Sequence, residues 1–340
     1  MTVLVTGGTG YIGSHTCIEL IGAGYEVVIM DNLSNSTAQV LDAIGQITGK
    51  RPAFWEADCC DAQAVESVFA AHPDIRAVIH FAASKSVNES QAKPLQYYRN
   101  NLLSLIRILE AMQRHSAHCL VFSSSCTVYG ESASQPVNEQ TPLQPPTSPY
   151  GATKQICEQI IADSVKAGSG LRASILRYFN PIGAHASGLI GESPLDTPQN
   201  LVPLLCRAAA GKSGRLQVFG NDYDTPDGSC IRDYIHVSDL GQAHLAALTR
   251  LQSGKAESAT EIFNIGTGKG FSVLELIRTF EAVNGVKVPY DIASRRPGDI
   301  ARIWADTRLA QEKLGWKAHK SIEDCLQSAW LWQTHCTQKH

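Results

Sequence analysis

The sequence predicts an α/β protein built on a doubly wound parallel sheet, with a smaller mixed α/β lobe behind it. Three observations carry this. The apolar run Val3 to Thr6 leads into Gly7-Gly8-Thr9-Gly10-Tyr11-Ile12-Gly13, which opens a helical pattern through about Leu20. A second short run, Glu26 to Met30, ends in Asp31, 18 residues after Gly13. Strand-like and helix-like segments then alternate for most of the first 180 residues, the pattern of a parallel sheet covered by helices on both faces.

Taken in order, Gly7, Gly10 and Gly13 permit a tight turn, close backbone approach to a pyrophosphate and close helix–strand packing. Asp31 stands where an acid accepts hydrogen bonds from adenosine ribose hydroxyls and repels a 2′-phosphate. No arginine follows it in Asn32-Leu33-Ser34-Asn35-Ser36, which favours NAD over NADP. The next strand is predicted at Ala53–Glu56, leading to Asp58, with a helix to about Ala71. Ala77–Phe81 reads as a buried parallel strand from its continuous apolar character, and His80 inside it reads as a structural histidine. Pro94–Arg114 forms a long helix and Cys119–Phe122 the following strand. That strand runs into a loop, Ser123-Ser124-Ser125-Cys126-Thr127-Val128-Tyr129-Gly130, at the carboxyl edge where ligands bind.

The proline-rich stretch from Glu139 delivers a helix at Pro149, a residue suited to the first helical turn. Tyr150 and Lys154 share one face of that helix. A phenol near an ammonium has its pKa lowered, so Tyr150 is expected to exchange protons with a substrate alcohol near neutral pH. Arg172–Arg177 is another strand. Residues 183–200 read as loop. Helices are expected at 201–210, 238–250, 273–283 and 321–335, with strands Leu216–Phe219 and Glu261–Ile265 scattered among them in the second lobe. The division expected is a dinucleotide-binding domain at 1–180 and a substrate lobe at 181–340, with some chain crossing between them. Arg232 and Arg296 are candidates for phosphate contacts, which arginine makes bidentately.

Composition sets limits. A net charge of −3 over 340 residues argues against a broad nucleic-acid surface. No apolar run approaches a membrane span, and Val3-Leu4-Val5 follows the start with no signal-like segment. Ten cysteines, mostly among apolar neighbours, read as reduced core thiols, and no pair of CxxC motifs suggests a metal. The expected setting is the cytoplasm.

The glycine turn, the serine run, Tyr150-Gly151-Ala152-Thr153-Lys154 and Arg232-Asp233-Tyr234-Ile235-His236 together resemble the extended short-chain dehydrogenase/reductase superfamily, whose sheet is Rossmann-type. Ser123 to Gly130, Arg177-Tyr178-Phe179-Asn180-Pro181 and Phe219-Gly220-Asn221-Asp222-Tyr223 narrow the resemblance to its UDP-glucose 4-epimerase family, along the whole chain. The resemblance implies interconversion of UDP-glucose and UDP-galactose in galactose metabolism, through a transient 4-keto sugar and with no net redox change. Tyr150 would be the acid/base. Lys154 would lower its pKa and hold the nicotinamide ribose, and Ser125 would meet the sugar 4-oxygen. NAD would touch Tyr11, Ile12, Asp31, Asn32, Asn35, Asp58, Phe81, Ala82, Lys85, Asn100 and Phe179. The UDP-hexose would meet Asn180, Asn200, Leu201, Phe219, Arg232, Arg296 and Asp299, and Ile303 would close the pocket beside the sugar 2-substituent. A homodimer through the helices near 94–114 and 150–166 is implied as well.

Related dehydratases and decarboxylases carry an acid just before Val-Tyr-Gly, where this chain has Cys126 and Thr127. A dead NAD-binding module would have no reason to keep Ser125, Tyr150 and Lys154 together. A net dehydrogenase would have to exchange NADH at each turnover.

Overall fold

The computed structural model describes residues 1–132, 134–195, 198–296 and 298–338. Residues 196 and 197 of the predicted loop lie outside this set.

Seven parallel strands form the central sheet: β1 (Thr2–Thr6), β2 (Glu26–Asp31), β3 (Ala53–Glu56), β4 (Ile75–His80), β5 (Cys119–Ser125), β6 (Arg172–Tyr178) and, much later, β11 (Thr260–Ile265). Their spatial order is β11-β6-β5-β4-β1-β2-β3. The order reverses between β1 and β4, and that reversal opens a crevice at the carboxyl ends of the strands.

Side chains alternate across each strand, so each feeds two cores. Val3, Val5, Ile29, Ile79 and Val121 face one way, and there they meet α1 (Tyr11–Gly22), α2 (Gln39–Thr48) and α8 (Val237–Gln252). Leu4, Val28, Met30, Val78, Leu120 and Phe122 face the other, under α3 (Ala62–Ala71), α5 (Pro94–Arg114) and α6 (Pro149–Lys166). A short helix, α4 (Val87–Ala92), precedes α5. Seven of the ten cysteines are buried thiols, six of them within these cores and the third one below.

The remaining elements are short strands, three α-helices and two short helical segments, Cys126–Tyr129 and Ala310–Leu314. β7 (Asn180–Ile182) pairs with β10 (Tyr234–His236), and β8 (Leu216–Phe219) pairs with β13 (Tyr290–Ala293). β9 (Ile231–Arg232) lies between β12 (Phe271–Ser272) and β14 (Arg302–Ile303). α7 (Leu201–Ala209), α9 (Val273–Asn284) and α10 (Ile322–Gln338) enclose a third core that includes Leu205, Leu276, Phe280 and Leu326.

Two expectations are corrected. The serine run is not a loop: Ser123–Ser125 are the last residues of β5, paired with Leu176–Tyr178. The strand Thr260–Ile265 does not belong to the second lobe but forms the edge of the main sheet beside β6. It fits there because Phe263 and Ile265 pack on one face and Ile262 on the other. The sequence pattern does not mark α2, α4, β13 or the two- and three-residue strands. His80 is structural as read, its Nδ1 2.8 Å from Thr6 Oγ1.

The glycine turn has no room for a side chain. A Cβ at Gly13 would lie 2.2 Å from the Gly7 carbonyl oxygen and 2.9 Å from Gly8 Cα, both of them backbone. Gly13→Ala is therefore expected to lower stability by about 1–3 kcal/mol through overpacking, measured by urea denaturation. An unchanged midpoint would contradict this packing.

Candidate active site

The site is built along the carboxyl edge of the sheet. At the β1–α1 turn, Gly7 has φ +71°, and a Cβ there would sit 2.8 Å from the Ala82 amide. The first turn of α1 has no side-chain cap and no acid, so the amides of Tyr11, Ile12 and Gly13 face the crevice at a positive dipole end. Tyr11 itself reaches across the molecule, its hydroxyl donating to the Gly183 carbonyl at 2.6 Å. Asp31, at the end of β2, accepts from the amides of Thr9 (3.2 Å) and Leu33 (2.9 Å) and from the Ser36 hydroxyl. Its donors are uncharged, no ion pair to it is found among the described residues, and a 2′-phosphate would meet the carboxylate. The turn and the acid thus fit an unphosphorylated dinucleotide.

The other residues expected at the cofactor flank the same edge. Asn32 donates to Asp58, and Asp58 caps the turn at Cys60. Asn35 accepts from Leu195 across the crevice. Phe81 packs on the His244 ring at 4.6 Å, while the Ala82 amide leans on Thr6 Oγ1. Lys85 reaches Glu192 at 3.4 Å. Asn100 donates to Ser84 and to its neighbour Asn101. Phe179 follows the last residue of β6, its amide donating to the Ile265 carbonyl at the end of β11. It is buried among Val128, Tyr129, Val137, Ile303 and Ala305, with Cys126 beside them.

Ser125, Tyr150 and Lys154 come together on β5 and α6. Ser148 caps α6 by accepting from the Gly151 amide at 3.1 Å, and Pro149 takes its first turn. The Ser125 hydroxyl accepts from the Thr127 amide at 3.2 Å, fixing the chain as it leaves β5. Lys154 is buried and donates to the Ser123 carbonyl at 2.6 Å, its ammonium 5.0 Å from the Phe122 ring and 5.8 Å from the Tyr150 ring.

The electrostatics depart from the simple expectation. Burial pushes the Tyr150 phenol well above its ordinary value, with Tyr178 adding to the rise and the Ser125 hydrogen bond opposing it. Burial also lowers Lys154 to about 8. Desolvation is the largest cause of both shifts, and each disfavours the charged form of its group.

At the far end, Arg296 grips Asp299 through two bonds of 3.1 and 3.0 Å and lies 5.2 Å over the Phe219 ring. Arg232 approaches the same carboxylate at 4.0 Å. Asn200 precedes α7, whose first residue is Leu201, and donates to Glu192 at 2.5 Å. Asn180 presents a buried Oδ1 with no partner among the described residues. Ile303 is buried in the cluster that reaches Cys126, next to Ser125, and not in the core of the second lobe.

Several neighbours of the site escaped the sequence reading. The Tyr178 hydroxyl lies 2.6 Å from Ser123 Oγ. Buried Asn101 ties Ser84 to Thr153 of α6. Glu192 joins Lys85 to Asn200. Tyr178 stood inside a motif already singled out, but the others had no local signal.

A doubly wound sheet, a glycine turn with a ribose acid, and a tyrosine and lysine one helical turn apart beside a strand-end serine define an extended short-chain dehydrogenase/reductase. The family model described as GDP-mannose 4,6 dehydratase matches residues 4–329. A UDP-glucose 4-epimerase of Bacillus subtilis is 50% identical over 98% of this chain and 97% of its own. The corresponding protein of Yersinia enterocolitica is 49% identical over 98% and 97%. A UDP-glucose 4-epimerase structure from Stenotrophomonas maltophila, with NAD and formylated UDP-arabinopyranose, superposes with a TM-score of 0.96 at 49% identity over the whole of both chains. One from Bifidobacterium longum with NAD+ and UDP gives 0.95 at 45%, again over both whole chains. The chain belongs to the UDP-glucose 4-epimerase family.

Lys154→Met is expected to raise stability by about 1–3 kcal/mol at pH 7 while abolishing turnover, because a buried ammonium with a lowered pKa opposes folding. The sign follows from proton uptake. Below about pH 8 both folded and unfolded lysine are charged, so the penalty is whole. It vanishes as pH rises through the unfolded value near 10.4. The gain should therefore shrink between those limits in urea melts, and a destabilised Met variant would contradict it.

Proposed function

We infer that this protein interconverts UDP-glucose and UDP-galactose by inverting C4 through a 4-keto sugar, with NAD as its cofactor. The observation that carries the reading is the meeting of Ser125, Tyr150 and Lys154 at the sheet edge, in a chain half identical over nearly its full length to curated UDP-glucose 4-epimerases. The dehydratase name of the family model does not fit the chemistry at the β5 exit. Related dehydratases carry an acid just before Val-Tyr-Gly, and Cys126 and Thr127 offer no carboxylate there.

In this reading Tyr150 takes the 4-hydroxyl proton and later returns it, and Ser125 orients the 4-oxygen. NAD+ held at the glycine turn and Asp31 would supply the hydride acceptor and donor for C4, together with a positively charged ring. A positive charge there would oppose the burial that raises Tyr150. Arg232 and Arg296 hold the diphosphate, with Asp299 orienting both guanidiniums and Phe219 giving a face for the uracil end. Asn180, Asn200 and Leu201 complete the nucleotide contacts. Firm holding there leaves the hexose free to present either face.

A homodimer through α5 and α6 suits the surface, since Leu95 is 82% exposed on α5 and Ile156 39% exposed on α6. No described helix is long and apolar enough to cross a membrane.

Purified protein should convert UDP-galactose to UDP-glucose with no added cofactor, followed by NMR of the anomeric protons. A requirement for NAD at each turnover would point to a net dehydrogenase instead. Tyr150→Phe should cost about 10²–10⁴-fold in kcat while leaving NAD bound. Near-normal turnover would remove Tyr150 from its role.

Ile303 limits the space beside the sugar 2-substituent, its β-branched chain stiff at χ1 and anchored in the Phe179 cluster. UDP-N-acetylhexosamines should turn over more slowly than the simple hexoses. Ile303→Tyr should suppress the N-acetyl activity selectively, as kcat/KM for both substrate pairs would reveal. Equal losses on both would end the gatekeeper assignment.

A further inference from the structure

Beneath the Tyr150–Lys154 face lies a buried polar network that the chemistry above does not use. Glu158 follows Lys154 by one helical turn and so continues the same face of α6. Arg177 on β6 grips its carboxylate twice, Nε to Oε1 at 3.1 Å and Nη2 to Oε2 at 2.7 Å. The Ser124 hydroxyl on β5 donates to Oε1 at 2.5 Å. On its other side Arg177 donates to the Tyr129 hydroxyl, which donates to Asn264 Oδ1 on β11 at 2.6 Å. Ser124, Tyr129, Glu158, Arg177 and Asn264 are all buried.

A buried ion pair is weak evidence of stabilisation, since apolar residues of similar volume commonly serve as well or better. Its position is more telling. Ser124 sits between Ser123, whose carbonyl receives Lys154, and Ser125. Rotation of α6 about its axis, or a slip along the sheet, would break the two Glu158–Arg177 bonds and the Ser124 bond together.

We propose that Glu158, held by Arg177 and Ser124, is a positioning residue that sets the rotation of α6 and so presents Tyr150 and Lys154 to the reacting sugar. This rests on the reading of those two residues as the proton-handling pair. It acts through them and does not touch substrate.

The carboxylate has a second effect. Lys154 is faced by Tyr150, Cys157 and Glu158 from α6, by His80 from β4 and by the Phe122–Ser123 segment of β5. The Cys157 thiol is raised to about 11 and the His80 ring lowered to about 3, both chiefly by burial, so both are neutral at working pH. Glu158 is then the anion that opposes the loss of charge on Lys154. Replacing it by glutamine removes that anion and leaves the Arg177 cation uncompensated, and both changes make Lys154 lose its proton at lower pH.

The test is kcat and KM from pH 6 to 10 for the NAD-loaded enzyme, Glu158→Gln and Glu158→Gln/Arg177→Met. Glutamine keeps the volume and one acceptor oxygen for Arg177 Nε and Ser124, but turns an amide N–H against Arg177 Nη2, so the grip that sets α6 is loosened without a cavity. The single variant should lose about 10-fold in kcat, a loss typical of small misplacements, with KM within about 3-fold. The alkaline limb of kcat should move to lower pH by about one unit. In the double variant the limb should return towards the wild-type position while the kcat loss persists. A folded single variant with wild-type kcat and limb overturns the proposal, and so does a kcat loss that only follows thermal stability with the limb unmoved. If the single variant does not fold, a folded double variant with wild-type kcat overturns it equally. Near-normal turnover of Tyr150→Phe would instead defeat the reading of the site itself.

Discussion

The hydrogen bond from buried Lys154 to the Ser123 carbonyl is the contact on which the rest of the site depends. It fastens α6 to the end of β5 at 2.6 Å and so places a phenol, an ammonium and a serine hydroxyl within one small region. Keeping an ammonium there is unfavourable by itself, and the fold supplies the compensation around it. The strand carbonyl accepts its proton, the Phe122 ring lies beneath it, and Glu158 stands one turn away.

The two parts of the chain are joined more closely than a cofactor domain and a substrate lobe set side by side. β11 returns from the second half to complete the main sheet, and α8 covers the same face as α1. Asp233, fully buried, gathers Thr267, Gly268 and Ala305 onto one carboxylate. Arg232, immediately before it, is thereby fixed in direction. Remote anchoring of a nucleotide can then be felt at the reacting carbon with little loss of geometry.

Much of this architecture is legible in the residues alone. Pro94 and Arg114 bound α5 because proline suits a first helical turn and the apolar spacing runs unbroken between them. Gly7, Gly10, Gly13 and Asp31 report a turn whose close contacts leave few alternatives. What stays hidden is long-range. Thr260–Ile265 looks like any short apolar strand, and only its partner, β6, decides which sheet it joins. Glu158 and Arg177 are ordinary charged residues until the fold brings them together. Spacing along a helix shows that Lys154 lies near Tyr150, but not the desolvation that burial imposes on both groups.

The central claim is that C4 loses and regains the same hydrogen inside one closed site. The direct measurement is turnover of UDP-galactose deuterated at C4, in ordinary water and with no added cofactor. The account predicts that the UDP-glucose formed keeps its deuterium at C4, with no solvent hydrogen at that carbon. Washout of the label into water, or its transfer to added NAD, would contradict it.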